Sequence, residues 1–420
     1  MSACGVGVEV HDERHDGASL ETRFLGTLTA EQKRAADAIL KHDTGVLAAT
    51  TAFGKTVVAA HVIAARDRNA LVLVHRQQLL DQWLARLRSF LDIGPERIGA
   101  IGGGKRKPTG IIDVALIQSL VRKGEVADLV ADYGHLIVDE CHHLSAVSFE
   151  AIAREAKAKF VLGLSATVTR KDGHHPIIFM QCGPIRYRVD ARKQAAQRPF
   201  AQRVMLRKTA FRFPAAQTTE KRSIQELYAA LTQDKKRNDL IFDDILLALG
   251  AGRSPVVITE RKDHLTILAE RLSRFARNVI VLRGGMGIRA RREMLNALQN
   301  IPDDQERVLV ATGRYLGEGF DDARLDTLFL TMPISWRGTL AQYAGRLHRS
   351  HDRKQDVVVY DYVDSEEPML AKMAARRQAG YRSLGYEVSA PGNPIQANAA
   401  PGREGPALGS LLHYINGQER

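Results

Sequence analysis

The residues best suited to chemistry are one loop and one pair of carboxylates. Ala49-Thr50-Thr51-Ala52-Phe53-Gly54-Lys55-Thr56 follows a short apolar run and precedes a stretch with helical spacing. In that setting a loop aims backbone N–H groups at phosphate, and the helix dipole also favours negative charge there. Lys55 is suited to holding the β- and γ-phosphates of ATP, and the Thr56 hydroxyl to holding Mg²⁺. Thr50, Thr51, Ala52, Phe53 and Gly54 form the rest of the cradle, with Ala49 where the pattern has Gly. The competing reading is a Gly-Lys-Thr turn that binds nothing. Downstream, His135-Leu-Ile-Val-Asp139-Glu140 puts two acids at the end of an apolar strand, the ligand edge of an open α/β sheet. Asp139 is suited to Mg²⁺ and Glu140 to orienting or deprotonating an attacking water. Alone they could be two solvated acids; with the loop upstream they form the second half of a nucleotide-hydrolysing site.

These residues need a sheet to position them. From Gly45 onward, short apolar runs alternate with helix-spaced stretches: GVLAA then VVAAHVIAA, and ALVLVH then QQLLDQWLARLRSF, with DVALI, HLIVDE and FVLGLSA following. That alternation means a parallel sheet covered on both faces. The pattern lapses between Arg188 and Thr219 and restarts with PVVITE, NVIVLRGG, RVLVAT, DTLFLTM and DVVVYDYV. The expected organisation is an extension over 1–25, an α/β domain over 26–190 and a basic linker over 191–222. A second α/β domain over 223–365, a closing helix over 366–390 and a flexible Pro/Gly/Ala-rich tail over 391–420 follow.

A chain of 420 residues suits two domains plus extensions. No window approaches the ~18 apolar residues that span a bilayer. The start MSACGVGVEVHDERHDG is acidic where a signal peptide is basic and then apolar, so a cytoplasmic protein with no membrane partner is expected. Cys4, Cys141 and Cys182 lack paired spacing, and the pairs His142–His143 and His174–His175 lack a third ligand, which argues against a Cys/His metal site. The formal charge of +12 favours a polyanionic partner, though solubility alone is the competing explanation. Trp83 stands on a helix, where it either packs in the core or stacks on a base.

Taken in order, GKT, DECH (Asp139–His142) and Ser165-Ala166-Thr167 resemble the motifs of a superfamily 2 DExH-box helicase. The blocks VHRQQLLDQW (Val74–Trp83), DVALIQSL (Asp113–Leu120), VVITERKDHL, ATGRYLGEGFD (Ala311–Asp321) and QYAGRLHR (Gln342–Arg349) agree with further motifs of that family. Arg170-Lys171-Asp172-Gly173 is similar to the wording of xeroderma-group-B-type DNA helicases and type III restriction motor subunits, and TERKDHL and GRLHR to that of conflict-system helicases.

The resemblance implies two tandem RecA-like domains with ATP in the cleft between them and nucleic acid across both. It implies adenine recognition by Gln32, although a helix-start glutamine is an equal alternative. It also implies γ-phosphate sensing by Gln342, arginine fingers at Arg346 and Arg349, and ribose or cleft positions at Gly319 and Asp321. Coupling falls to His142, Ser165 and Thr167, with core packing the competing role for Ser165 and Thr167, and backbone contacts with nucleic acid fall to Arg76, Gln118 and Thr312. The implied activity is an ATP-dependent helicase or translocase, with DNA favoured over RNA. The alternatives are an RNA helicase, a restriction or defence motor with a nuclease, methyltransferase or primase partner protein, and a non-catalytic ATP-gated module.

Overall fold

In the computed structural model the described residues are 11–141, 146–166, 175–213, 223–313, 320, 322–334 and 337–389. They fall into two compact units, one of the residues up to Ala196 together with Phe320 and the other of the remaining residues from Gln197 onward.

In the first unit the apolar runs become β1 (Thr44–Ala48), β2 (Ala70–Val74), β3 (Ile98–Gly102), β4 (Lys105–Lys107), β5 (Ile112–Leu116), β8 (His135–Val138), β9 (Phe160–Ser165) and β10 (Ile185–Arg188). These form one sheet in the order β10-β1-β9-β8-β2-β5-β3-β4, parallel except for the β3–β4 pair. The short strands β6 (Val121–Arg122) and β7 (Glu125–Val126) make a separate hairpin. Every residue of β2, β5 and β8 is buried, as expected of strands covered on both faces. The covering helices are α1 (Ala30–Leu40), α2 (Lys55–Arg66), α3 (Gln77–Phe90), α4 (Ile117–Leu120), α5 (Ala146–Glu155), α6 (His175–Cys182) and α7 (Ala191–Ala196). On α3 the buried residues Leu79, Leu80, Trp83, Leu84 and Leu87 recur at helical spacing and pack into the core with Val58, Ile63 and Leu116.

The residues before α1 are docked on this unit. Leu20 is fully buried, Asp67 accepts hydrogen bonds from the Leu20 and Glu21 N–H groups, and the His15 N–H donates to the Lys157 carbonyl at 2.9 Å. Gly17 adopts φ +71° and passes so close to Gly134 that a Cβ would collide with its backbone.

The second unit holds β11 (Ala201–Lys208), β12 (Pro255–Thr259), β13 (Val279–Leu282), β14 (Val308–Thr312), β15 (Thr327–Leu330), β16 (Asp356–Val363) and β17 (Glu387–Ser389). They form a parallel sheet in the order β13-β14-β12-β15-β16-β11-β17. Its helices are α8 (Ile224–Gln233), α9 (Lys235–Gly250), α10 (Lys262–Leu272), α11 (Ile288–Asn300), α12 (Arg337–Gly345) and α13 (Pro368–Ser383). The stretch expected as a basic linker contains α7 and the eight-residue strand β11, which pairs with β16 along its whole length. Its basic character hid it: Val204, Met205 and Leu206 are buried, while Arg207 donates to the buried Asp244 at 2.9 Å. The stretch expected as a closing helix contains α13, followed by β17 at the edge of this sheet. The expected tail beyond Ala390 lies outside the described residues.

Candidate nucleotide site and nucleic-acid face

Three neighbouring strands carry the chemical residues to one edge of the first sheet. The carboxyl ends of β1, β9 and β8 lead respectively into the Ala49–Thr56 loop, Ser165-Ala166 and Asp139-Glu140. The Ala49 N–H donates to the Ser165 carbonyl at 2.9 Å, so the loop begins as an extension of the ladder. Gly54 then turns the chain into α2 with φ +87°, a conformation that costs a side chain its preferred backbone. A Cβ there would also lie 2.6 Å from the Gln32 side chain. Ala52 takes φ +71° and Glu140 φ +46°, so two non-glycine residues hold uncommon left-handed backbones at one site.

Lys55 joins the two halves. Its ammonium lies 3.2 Å from the Ala49 carbonyl and 3.3 Å from Glu140 Oε1, with the lysine side chain almost fully buried. The other Glu140 oxygen accepts the Ala166 N–H at 3.4 Å. Gln32 is drawn to the loop: it completes a capping box with Thr29 at the start of α1, and its Nε2 donates to the Phe53 carbonyl at 2.8 Å. The Thr50 hydroxyl donates to the Gln194 side chain on α7. Gln194 carries no motif of its own, and no sequence signal marked it.

Asp139 is buried. Burial and then the neighbouring Glu140 charge raise its pKa, while the Trp83 N–H, Lys55 and the Glu140 N–H pull the other way. Its Oδ2 accepts the Trp83 indole N–H at 2.8 Å and its Oδ1 the Glu140 N–H at 2.9 Å. Trp83 is therefore a core residue, as one of its two readings held. The helical spacing could show that it faces inward, but not that its partner is the acid at the end of β8.

Thr56 in the first turn of α2 and Asp139 offer hard oxygen donors, and no group of three or more His, Cys, Asp or Glu gathers as a metal cluster among the described residues. That set suits Mg²⁺, which is usually held by one or two carboxylates together with substrate phosphate and water.

Farther along the same edge, β2 and β5 lead into Arg76 and Gln118. Arg76 is the N-cap of α3, and the Gln118 amide lies 3.4 Å from the His75 carbonyl, so these two candidates are brought side by side. In the second unit Thr312 ends β14, and the adjoining Gly313 is crowded by Tyr343 and Glu260. The Tyr343 hydroxyl donates to Glu260 at 2.8 Å, which locks α12 to the end of β12. Gln342 on α12 is buried, whereas Arg346 and Arg349 in the following turn are half-buried. The Lys354 ammonium donates to the carbonyls of Ala323, Leu347 and Arg349 at 2.7–2.9 Å, bracing that arginine-bearing turn. His142, Thr167, Gly319 and Asp321 lie outside the described residues, as do Arg170–Gly173.

Residues 25–170 match the family model of the type III restriction enzyme res subunit. The chain is 24% identical over 374 residues to the "Putative ATP-dependent RNA helicase L396" of Acanthamoeba polyphaga mimivirus, covering 87% of this chain and 69% of that one. It is 30% identical to the DNA 3'-5' translocase XPB2 of Sulfurisphaera tokodaii over 50% of this chain and 42% of that protein. With the DNA 3'-5' helicase XPB of Mycobacterium tuberculosis the identity is 33%, over 37% and 29% of the two chains. The chain thus spans less than half the length of either XPB relative. Among solved structures, the ATP-dependent type ISP restriction-modification enzyme LlaBIII bound to DNA aligns with a TM-score of 0.60 at 14% identity, covering 86% of this chain and 31% of that one. At that identity the likeness is one of fold.

Proposed function

We propose that the chain is a member of superfamily 2 of the helicases, with two tandem RecA-like α/β domains, and that it acts as an ATP-dependent DNA helicase or translocase. The observation that carries the reading is the Lys55 ammonium held between the Ala49 carbonyl and Glu140, on the same sheet edge as Arg76 and Gln118. With ATP in place, Lys55 leaves these partners for the β- and γ-phosphates, which frees Glu140 to orient the attacking water. Thr56 and Asp139 would hold Mg²⁺, which would neutralise developing charge on the phosphate oxygens. Gln32, whose side chain reaches the Phe53 carbonyl, is the candidate for adenine, and Gln342, Arg346 and Arg349 are the candidates for the γ-phosphate. Arg76, Gln118 and Thr312 grip the sugar-phosphate backbone. Such contacts position the strand without reading bases, so low sequence specificity follows.

DNA is favoured by the DNA helicase and translocase relatives. The mimivirus relative, which aligns over most of the chain, supports RNA as the second reading. The restriction-family match supports a third, a motor whose nuclease, methyltransferase or primase is a separate protein.

ATPase measured without polymer and with single-stranded DNA, duplex DNA and RNA decides among these substrates. Lys55→Ala and Glu140→Gln are each expected to lower stimulated turnover by on the order of 10²-fold or more. Undiminished turnover in either variant removes the mechanism.

A further inference from the structure

The geometry points to Trp83 as a positioning residue for the nucleotide-bound magnesium: its indole N–H fixes the Asp139 carboxylate before any ligand arrives. The proposal rests on the reading of Asp139 as the magnesium-holding acid.

The indole nitrogen can only donate a hydrogen bond, so a buried tryptophan needs an acceptor. Trp83 is 1% exposed, and its N–H goes to Asp139 Oδ2 at 2.8 Å. The other carboxylate oxygen takes the Glu140 N–H at 2.9 Å. Each carboxylate oxygen has two lone-pair directions, so both can accept these bonds and still present a lone pair to an ion.

The brace is stiff because both ends are. Trp83 belongs to the buried face of α3, flanked by Leu79, Leu80, Leu84 and Leu87 in the core. Asp139 follows β8, and its N–H is tied to the Leu73 carbonyl of β2 at 3.0 Å. Rotation of the carboxylate would strip the indole of its acceptor in a place water does not reach, which is costly. A partner that orients a metal-holding side chain in this way tunes metal affinity as well as stability. A tryptophan that merely filled space would affect stability alone, which separates the two roles.

The test uses the full chain. It contains two tryptophans, so Trp336→Phe leaves Trp83 as the sole tryptophan, excited selectively at the red edge where tyrosine does not absorb. In that background, Mg²⁺ added to the ADP-bound protein is expected to change Trp83 emission saturably, and EDTA to reverse the change. Absence of any Mg²⁺-dependent change overturns the proposal, and this arm leaves Trp83 itself intact.

In the second arm, Trp83→Phe keeps an aromatic ring and deletes the donor. The Mg²⁺ concentration for half-maximal binding of a fluorescent ADP analogue is expected to rise about tenfold or more, with affinity in EDTA within about twofold of the parent. A folded Trp83→Phe protein, checked by circular dichroism, with an unchanged Mg²⁺ requirement overturns the brace. Asp139→Asn separates the two levels of the argument. If Asp139→Asn shifts the requirement and Trp83→Phe does not, only the brace fails. If Asp139→Asn leaves it unchanged, the reading of Asp139 fails and the proposal falls with it.

Discussion

At the residue scale, the proposed nucleotide site is held by a few side chains whose alternatives are poor. Lys55 lies against one carbonyl and one carboxylate, both of which it can exchange for phosphate oxygens. Gly54 is required by its backbone, since φ +87° strains any residue with a Cβ by ~1–3 kcal/mol. Gly54→Ala is therefore expected to weaken ADP binding by about tenfold or more, measured by titration calorimetry. The nearby Gln32 amide is the flexible end of a side chain, so adding Gln32→Ala should not restore binding. Restoration would mean that crowding, rather than backbone strain, sets the glycine requirement.

At the scale of elements, each unit pins its helices to its sheet through buried polar groups. In the second unit Arg237 of α9 donates to Asp364, which also accepts the Thr209 hydroxyl just past β11. Both ion-pair partners are inaccessible to solvent, so removing one leaves a buried charge behind. Arg237→Ala is expected to lower unfolding free energy by ~3–5 kcal/mol, read from urea denaturation.

Three buried histidines set the acid sensitivity of these elements. Burial, with a smaller contribution from Arg66, holds His135 on β8 down at about 3. Burial and then Arg237 hold His264 on α10 at about 3, while burial, Arg198 and Lys354 hold His348 well below its ordinary value. Each stays neutral in the fold while the unfolded chain takes up a proton near pH 6.5, so the unfolded state binds more protons below that pH. Stability should be fully present above about pH 6.5 and decline toward pH 3, which urea midpoints at several pH values would show. Neither ring nitrogen of His135 has a hydrogen-bond partner among the described residues. His135→Leu is therefore expected to raise the midpoint and flatten part of this dependence.

For the whole molecule, the excess of 60 basic over 48 acidic side chains is the property that bears on function. Phosphate neutralisation releases counterions, so on the proposed reading DNA affinity should fall steeply as salt rises from 50 to 200 mM, with a linear log–log slope. A flat response by fluorescence anisotropy would count against a groove that tracks the backbone. Among the described residues no helix is long and apolar enough to cross a membrane.

The order of apolar runs and helix-spaced stretches was enough to read two parallel α/β domains, because a strand buried on both faces and an amphipathic helix differ in local pattern. The loop, the paired acids and the later arginine motif stand out in the sequence for a similar reason: the chemistry proposed for them demands fixed residue types at short spacing. β11 was not, since its arginines look like a linker until Asp244 and Asp356 are placed beside them. Nor was the docking of residues 15–25, whose partners lie on other segments. That Trp83 meets Asp139, that Gln32 reaches Phe53 and that Gln118 reaches the segment at Arg76 were decided only by the tertiary structure. Local pattern shows which face a residue turns inward, whereas strand order decides what it meets there.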